Sequence, residues 1–463
     1  MSASKYFFCG IGGSGMLPLA CILRASGAEV AGSDRSLDQG RVAEKFAFLE
    51  RQGIALFPQD GSGLVSADQV LVASAAVEDS IPDIAAARRL GAERLTRAEL
   101  LARLFNAAPL SIGVAGTSGK STVTGMIAWI LDQAGRDPIV MNGAVMKNFA
   151  TPDRPFASAL AGHGDVFVSE VDESDGSIAL FHPTIAVLNN VSLDHKSLDE
   201  LRALFGDFAA KADKVVANLD DEDTRTLAES LPADRLIGFS FEGRAAALAG
   251  GAIEAGDGFT RFRVRAGGEE RTVTLRLWGG HNARNALAAL GAAIAAAVPL
   301  DEAVAALESF AGLRRRFEVV GEKNRITVVD DFAHNPDKIA ATLGAARAGL
   351  KGRLLLCFQP HGYGPLRLMK EALVETFVHG MGEEDVLILS DPVYYGGTVD
   401  RSVGSEAIVE SVRAGGRRAE HVADRAAAGE RLAVLARPGD RILVMGARDD
   451  TLSAFAQSLL DRL

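Results

Sequence analysis

Short apolar runs closed by glycine or polar residues alternate along the chain with longer stretches in which apolar positions recur every three or four residues. The first pattern predicts buried strands and the second amphipathic helices, and their alternation predicts α/β architecture with largely parallel sheets. Strands are expected over Lys5–Cys9, Glu29–Gly32, Gln69–Ala73, Leu110–Ala115, Val166–Ser169, Thr184–Leu188, Lys214–Ala217, Ile326–Val329, Arg353–Phe358, Val386–Leu389 and Arg441–Met445. Helices are expected over Met16–Ser26 and Val123–Leu131, and over two alanine-rich stretches, 283–297 and 301–310. Between Phe259 and Leu277 arginines alternate with apolar residues such as Phe262 and Val264, which predicts an antiparallel hairpin.

At 463 residues the chain exceeds what one core organises, so two to three domains are expected. Asn106-Ala107-Ala108-Pro109 marks one boundary and Gly312 another, giving units 1–108, 109–312 and 313–463. A hydrophobic content of 48% and a charged content of 24% are ordinary for a globular protein. The net charge is −11 and no basic stripe stands out, so nucleic acid is not an expected partner. Cys9, Cys21 and Cys357 form no CxxC pair, which points to a reducing compartment. The first apolar run passes straight into a glycine turn rather than a cleavage site. The longest apolar stretch, Ala286–Leu300, contains Gly291 and Pro299 and falls short of the ~18–20 residues that span a bilayer. A cytoplasmic protein without a membrane partner is expected.

Two glycine-rich turns carry the strongest chemical signals. The strand ending at Ala115 runs into Gly116-Thr117-Ser118-Gly119-Lys120-Ser121-Thr122 and then a helix. Glycines let backbone N–H groups converge on phosphate oxygens, the helix N-terminus adds partial positive charge, and a lysine reaches the outer phosphates. Ser121 is the expected magnesium ligand, and Val114 stands where the strict pattern has Gly or Ala. The first strand likewise runs into Gly10-Ile11-Gly12-Gly13-Ser14-Gly15, with Met16 opening a helix and the second strand ending at Ser33-Asp34. That is the outline of a dinucleotide-binding (Rossmann) turn with its ribose-binding acid. The glycines say that a phosphorylated ligand approaches the backbone, not which one, and a tight turn without a ligand stays open.

Further candidates sit at other strand ends. Glu170-Val171-Asp172-Glu173-Ser174-Asp175 follows one strand, offering hard oxygen ligands suited to magnesium. The next strand ends in Asn189-Asn190 and, a few residues on, His195, an imidazole able to ligate a second ion or hydrogen-bond phosphate. Asn282 and Asn285 share a helix face, and their amides suit an adenine edge, with helix capping as the alternative for Asn282. Arg314-Arg315-Arg316 stands at the second boundary. Asp330-Asp331-Phe332-Ala333-His334 and Gln359-Pro360-His361 follow two strands of the third unit, where open α/β sheets present ligands.

Taken in order, these motifs resemble those of the Mur ligases of peptidoglycan synthesis, over nearly the whole chain. They are Gly10–Met16, Gly32-Ser33-Asp34, Thr96–Leu101, Gly116–Ser121, Glu170–Asp175, Asn190–His195, His281–Asn285, Arg315-Arg316-Phe317, Asp330–Pro336 and Phe358–His361. The resemblance implies a Rossmann-like N-terminal domain for a UDP-sugar, a central P-loop ATPase-like domain for ATP, and a C-terminal Rossmann-like domain for an amino acid. It assigns Gly12, Gly13, Ser14, Gly15, Met16, Ser33, Asp34 and Ser74 to the UDP-sugar. It assigns Gly116, Thr117, Ser118, Gly119, Lys120, Ser121, Thr122, Asn282, Asn285, Arg316 and Asp331 to ATP. Ser121, Glu170 and His195 would hold Mg2+, as two ions. Lys120, Glu170, His195 and Arg316 would carry catalysis, and His334, His361 and Tyr363 would line the amino-acid pocket. The implied reaction phosphorylates the carboxylate of UDP-N-acetylmuramate with ATP, and an amine, L-alanine first, attacks the acyl phosphate.

The resemblance has departures. Gly362 and Pro365 stand where the family has two arginines, and neither can grip an amino-acid carboxylate bidentately. Asp330–Pro336 lacks a tyrosine hydroxyl and a histidine of the alanine-adding members. Asp330–His334 and Leu188-Asn189-Asn190 look more like the members that attach a recycled tripeptide, whereas Gly12-Gly13 and Phe358–His361 side with the alanine-adding ones. Phe205 lies near the position of the carbamylated lysine of some relatives, so none is expected. Open alternatives are another amine or a recycled peptide as donor, an NAD-dependent oxidoreductase, and a catalytically idle nucleotide-binding homologue.

Overall fold

The computed structural model describes residues 4–74, 77–192, 196–393, 400–449 and 451–463. Among these residues three sheets organise the chain. The first contains β1–β5: Lys5–Cys9, Glu29–Ser33, Ala55–Phe57, Gln69–Ala73 and Arg94–Thr96, in the order β3-β2-β1-β4-β5 with every pairing parallel.

The middle sheet is built on β6 (Leu110–Ala115), β7 (Ile139–Met141), β8 (Ala159–Ala161), β9 (Val166–Glu170), β10 (Ile185–Leu188), β11 (Lys214–Asn218), β12 (Leu236–Ser240) and β13 (Leu248–Gly250). Their order is β13-β12-β11-β10-β6-β9-β7-β8, parallel except where β8 pairs antiparallel with β7. The short β14 (Glu254–Gly256) and the long β15 (Phe259–Ala266) pair antiparallel, and β16 (Glu269–Leu275) pairs β15, so the arginine-alternating segment is the expected hairpin. The third sheet holds β17–β22: Glu318–Lys323, Ile326–Asp331, Leu354–Gln359, Val386–Leu389, Arg418–His421 and Arg441–Gly446. Its order is β17-β18-β22-β19-β20-β21, parallel except for the β17–β18 pair.

The chain divides into two compact units, Met1–Gly250 with Val264–Arg271 and Asn285–Phe310, and Gly251–Arg263 with Thr272–Arg284 and Ala311–Leu463. In the first, one apolar cluster runs through both sheets, from Phe8 and Leu49 to Phe167, Phe205 and Phe208. Phe105 meets Phe167 and Phe181 edge-on at 5.8 and 5.3 Å, and each such buried ring contributes about 1.5–3 kcal/mol. In the second unit two clusters sandwich the third sheet, one containing Leu356 and Phe377, the other Leu355 and Leu452.

The helix expected from Val123 begins at Lys120 and runs to Gln133, because the hydroxyl residues after the turn join its first turn. The alanine-rich region forms His281–Ala295 and Leu300–Glu308; left-handed Ala297, at φ +61°, ends the first helix and Pro299 caps the second. No described helix is long and apolar enough to cross a membrane.

Candidate active site

Sheet order sets where ligands can approach. In the middle sheet β6 lies between β10 and β9, with Ala115 opposite Leu188 and Val114 opposite Glu170. The loops leaving these three strands therefore share one end of the sheet, where parallel sheets bind ligands. They are the glycine turn 116–119, the acidic segment after Glu170, and Asn189-Asn190.

Asparagines clamp the turn. Asn190 Oδ1 accepts the Ser118 N–H at 2.8 Å, and both Asn189 and Asn190 amides donate to the Ser118 carbonyl, at 2.9 and 3.0 Å. Asn189 also donates to Asn285 Oδ1 at 3.1 Å, while its own Oδ1 is buried without a protein acceptor or donor partner. Thr117 Oγ1 donates to the Ser192 carbonyl and accepts the Ser192 N–H. Gly119 sits at φ +86°, and a Cβ there would stand 2.4 Å from Asn189 Nδ2 and 2.5 Å from Asn285 Oδ1. Only glycine closes this turn.

Lys120 is the first residue of its helix. Its Nζ donates to the Gly116 carbonyl at 2.7 Å and to both carboxylate oxygens of Glu173, at 3.0 and 2.8 Å. The pair is largely buried, with 13% and 5% of the side chains exposed. Burial pushes the Glu173 carboxyl up, and the charge and hydrogen bonds of Lys120 only partly offset it. Neighbouring Asp172 is held below the usual range: burial raises it, but the Ser174 N–H, Lys120 and, more weakly, Arg97 outweigh that.

Glu170 accepts the Gly143 N–H at 3.0 Å, and Ser121 is buried at the start of the Lys120–Gln133 helix. A hydroxyl and a carboxylate at neighbouring ends of the sheet are the hard donors magnesium takes, so the residues present fit that ion. His195 lies outside the described residues. Among the described residues no group of three or more His, Cys, Asp or Glu side chains is placed to hold a metal by itself.

In the first sheet the order reverses at β1, so the Gly10–Gly15 turn leaves from the switch point. Gly12 N–H donates to Asp34 Oδ2 and Ser36 N–H to Asp34 Oδ1, both at 2.8 Å. Asp34 thus shapes the turn and caps the following short helix. Ser33 is buried and donates to Asp83, which also accepts the Gly61 N–H at 2.9 Å; burial pushes the Asp83 carboxyl up. Gly13, Ser14 and Ser74 are exposed, whereas the Met16 side chain is in the core. Lys45 donates to the Gly12 carbonyl at 3.1 Å. Neither Asp83 nor Lys45 was signalled by a motif, since Lys45 reaches the turn, and Asp83 reaches Ser33 at the end of β2, from separate helices.

In the second unit β18, β22 and β19 are adjacent, and the loops after β18 and β19 lie at one end. Asp331 accepts the Phe317 and Ala333 N–H groups at 2.5 and 2.6 Å, and burial pushes its carboxyl up against the charge of Arg316. Arg316 lies over the Phe332 ring at 4.7 Å and Arg315 at 5.1 Å. His334 Nδ1 donates to the Phe332 carbonyl at 2.8 Å, and its ring is 5.0 Å from that of His361. Burial, helped by the charge of Lys338, pushes His334 down to about 3. Tyr363 opens a short helix, and Arg401 lies over its ring at 5.5 Å. Asn282 belongs to this unit and donates to the Trp278 carbonyl at 2.8 Å.

A lysine-bearing glycine turn bonded to a buried carboxylate, with a second glycine turn at the switch point of its own sheet, is what a nucleotide-using enzyme presents. Family models match in series: "Mur ligase family, catalytic domain" over residues 5–108, "Mur ligase middle domain" over 114–293, and "Mur ligase, glutamate ligase domain" over 315–448. A UDP-N-acetylmuramate–L-alanine ligase of Geobacter sulfurreducens is 36% identical, covering 96% of this chain and 94% of that one. One of Jannaschia sp. is 34% identical, covering 98% and 94%. The crystal structure of a UDP-N-acetylmuramate–alanine ligase of Thermotoga maritima superposes with TM-score 0.79 at 25% identity, covering 99% of this chain and 98% of that one. A murein peptide ligase of Psychrobacter arcticus shares the fold with TM-score 0.71 at 24% identity, covering 99% and 98%. The chain belongs to the Mur ligase family.

Proposed function

We propose that this protein joins L-alanine to the carboxylate of UDP-N-acetylmuramate with ATP, through an acyl phosphate, in the cytoplasmic stage of peptidoglycan precursor synthesis. Residues 1–108 form the sugar-nucleotide domain, 109–312 the ATP domain and 313–463 the amino-acid domain. The observation that carries the reading is Lys120, fixed at a clamped glycine turn and bonded to Glu173 at the end of one sheet.

Both reactants are anions, so phosphoryl transfer to a carboxylate needs charge neutralised first. The turn 116–122 cradles the triphosphate and Lys120 meets its outer oxygens. Ser121 and Glu170, with His195 outside the described residues, would hold magnesium, as two ions, and these would supply further positive charge. Asn282 and Asn285 take the adenine, Asp331 the ribose, and Arg316 the charge that develops on transfer. Gly12, Gly13, Ser14, Gly15, Ser33, Asp34 and Ser74 take the UDP-sugar, with Met16 contributing only backbone. His334, His361 and Tyr363 surround the amine, with burial holding His334 neutral.

A recycled peptide as the amine is the second reading. It is favoured by Gly362, whose φ of +153° suits glycine and leaves that position without a side chain. The test is phosphate release by purified protein with ATP, magnesium and UDP-N-acetylmuramate against a panel of L-alanine, other amino acids and short peptides. L-Alanine is expected to give the highest kcat/KM. Release that never depends on the acceptor would overturn the ligase assignment, and preference for a peptide would move the protein to the second reading.

A further inference from the structure

Phe332 stands among Asp331, His334 and Arg316, which carry roles in the proposed reaction, and has none itself. The sequence singles it out only for the tyrosine hydroxyl it lacks. In the structure two guanidinium groups lie over its ring, Arg316 at 4.7 Å and Arg315 at 5.1 Å, and the His334 ring meets it edge-on at 5.5 Å. All of these residues belong to the second unit.

Arg315 is committed to the scaffold. Its Nη1 and Nη2 donate to the Asp449 and Gly446 carbonyls at 3.0 and 2.8 Å, and its Nε stands 3.5 Å from Oδ1 of buried Asp330. Its own N–H donates to Glu318 Oε2 at 3.0 Å, and its carbonyl accepts the Phe332 N–H at 2.8 Å. Two residues on, the Phe317 N–H donates to Asp331 Oδ2. Arg315 and Phe317 are both left-handed, at φ +57° and +48°. That conformation is costly for side chains of this size and persists only where the surroundings enforce it. The chain therefore arches at Arg316, with both feet of the arch tied to the end of β18, and the Arg316 side chain lies on the ring that follows this strand. A carboxylate that holds a cation also cancels its charge, as Glu173 does for Lys120. A ring face attracts a guanidinium through its quadrupole and leaves the charge and the N–H edge available to an anion.

We infer that Phe332 is a positioning residue for phosphoryl transfer: its ring, with the arch tied to β18, holds the Arg316 guanidinium where it meets the charge that develops. An aromatic face is required at this position and a hydroxyl is not. The inference rests on reading Arg316 as the cation of the transfer step.

The test is steady-state phosphate release with ATP, magnesium, UDP-N-acetylmuramate and L-alanine, with thermal melting as the check on folding. The variants are Phe332→Leu, Phe332→Met, Phe332→Tyr, Arg316→Gln and the double variant Arg316→Gln with Phe332→Leu. Phe332→Leu and Phe332→Met are expected to lower kcat about fivefold, the worth of a partly buried cation–π contact, with the KM for L-alanine within about twofold. Phe332→Tyr should keep most of the activity. In the Arg316→Gln background, Phe332→Leu should change kcat by less than about twofold, because the ring acts through the guanidinium. Wild-type kcat in the folded non-aromatic variants would overturn the inference, as would a full further loss in the double variant. A loss carried by the KM for L-alanine would overturn it too, and move Phe332 to the amino-acid pocket. Failure of both non-aromatic variants to fold would make the ring a core residue and nothing more. An Arg316→Gln variant with wild-type kcat, or a wild-type protein whose phosphate release never depends on the acceptor, would sink the functional reading and this inference together.

Discussion

At the end of β6 the cation that serves the glycine turn is supplied by the turn itself: Lys120 is four residues from the Gly116 carbonyl it bonds. At the end of β1 the turn carries no cation, and Lys45 and Arg97 reach it from helices elsewhere in the first unit. Each turn also engages a carboxylate brought from the end of another strand. Asp34 occupies a backbone donor, Gly12 N–H, whereas Glu173 occupies the lysine. On the proposed reading the first carboxylate builds the receptor and the second competes with the ligand. A locally encoded cation sits ready at its phosphate loop but needs an occupant until nucleotide arrives. A cation brought from a distance is positioned by packing.

The comparison is tested hardest at Lys120. Lys120→Ala should lower turnover by roughly 10²-fold or more with the fold intact, since no other cation lies within the turn. Turnover within a few-fold of wild type, in a phosphate-release assay, would break the assignment of this turn to the triphosphate. The next effect separates the two turns by backbone. Gly119 is left-handed and hemmed by two asparagine amides, so Gly119→Ala should cost about 1–3 kcal/mol in urea unfolding. Gly15 has φ −97° and meets only the flexible Arg97 side chain, so Gly15→Ala should fold nearly as well and show its effect as weaker sugar-nucleotide binding. Equal stability losses in the two variants would mean that the turns are shaped alike.

The same contrast explains what could be read in advance. Strand ends were legible because buried parallel strands are apolar runs with abrupt polar termini, and every expected strand is present within a residue or two of its bounds. Lys120 was legible because the glycine turn it serves is its own sequence neighbourhood. Glu173 is one carboxylate of an acidic run whose first member, Glu170, closes the strand; the chain turns after it and brings the later glutamate back onto the lysine. Asn189 and Asn190 were visible as a phrase but not as the clamp on Ser118, which depends on β10 pairing with β6. Asp83, Lys45 and Arg97 were opaque, because a helix surface carries no sign of the turn it will pack against. In the second unit, Gly362 registered as a missing arginine, and the structure adds a cause: at φ +153° a side chain there is strained.

Glu173→Gln probes the smaller claim, that this carboxylate is the occupant of Lys120 rather than part of the receptor. Gln keeps a hydrogen-bond acceptor but removes the charge that nucleotide must displace. ATP affinity is therefore expected to rise several-fold in a titration without acceptor, while the ligand-free protein loses stability because a buried ammonium has lost its counter-ion. The pH dependence gives an independent sign. Burial raises the Glu173 carboxyl above its ordinary 4.5, so just above that pH the native chain holds a proton that the unfolded chain has released. This group's contribution to stability is complete below the unfolded value and is lost as pH rises through the folded one. Replacing Glu173 should flatten that part of the stability–pH curve. Weaker ATP binding in Glu173→Gln would instead make the glutamate a member of the ATP site, and the two turns would then differ only in where their cations come from.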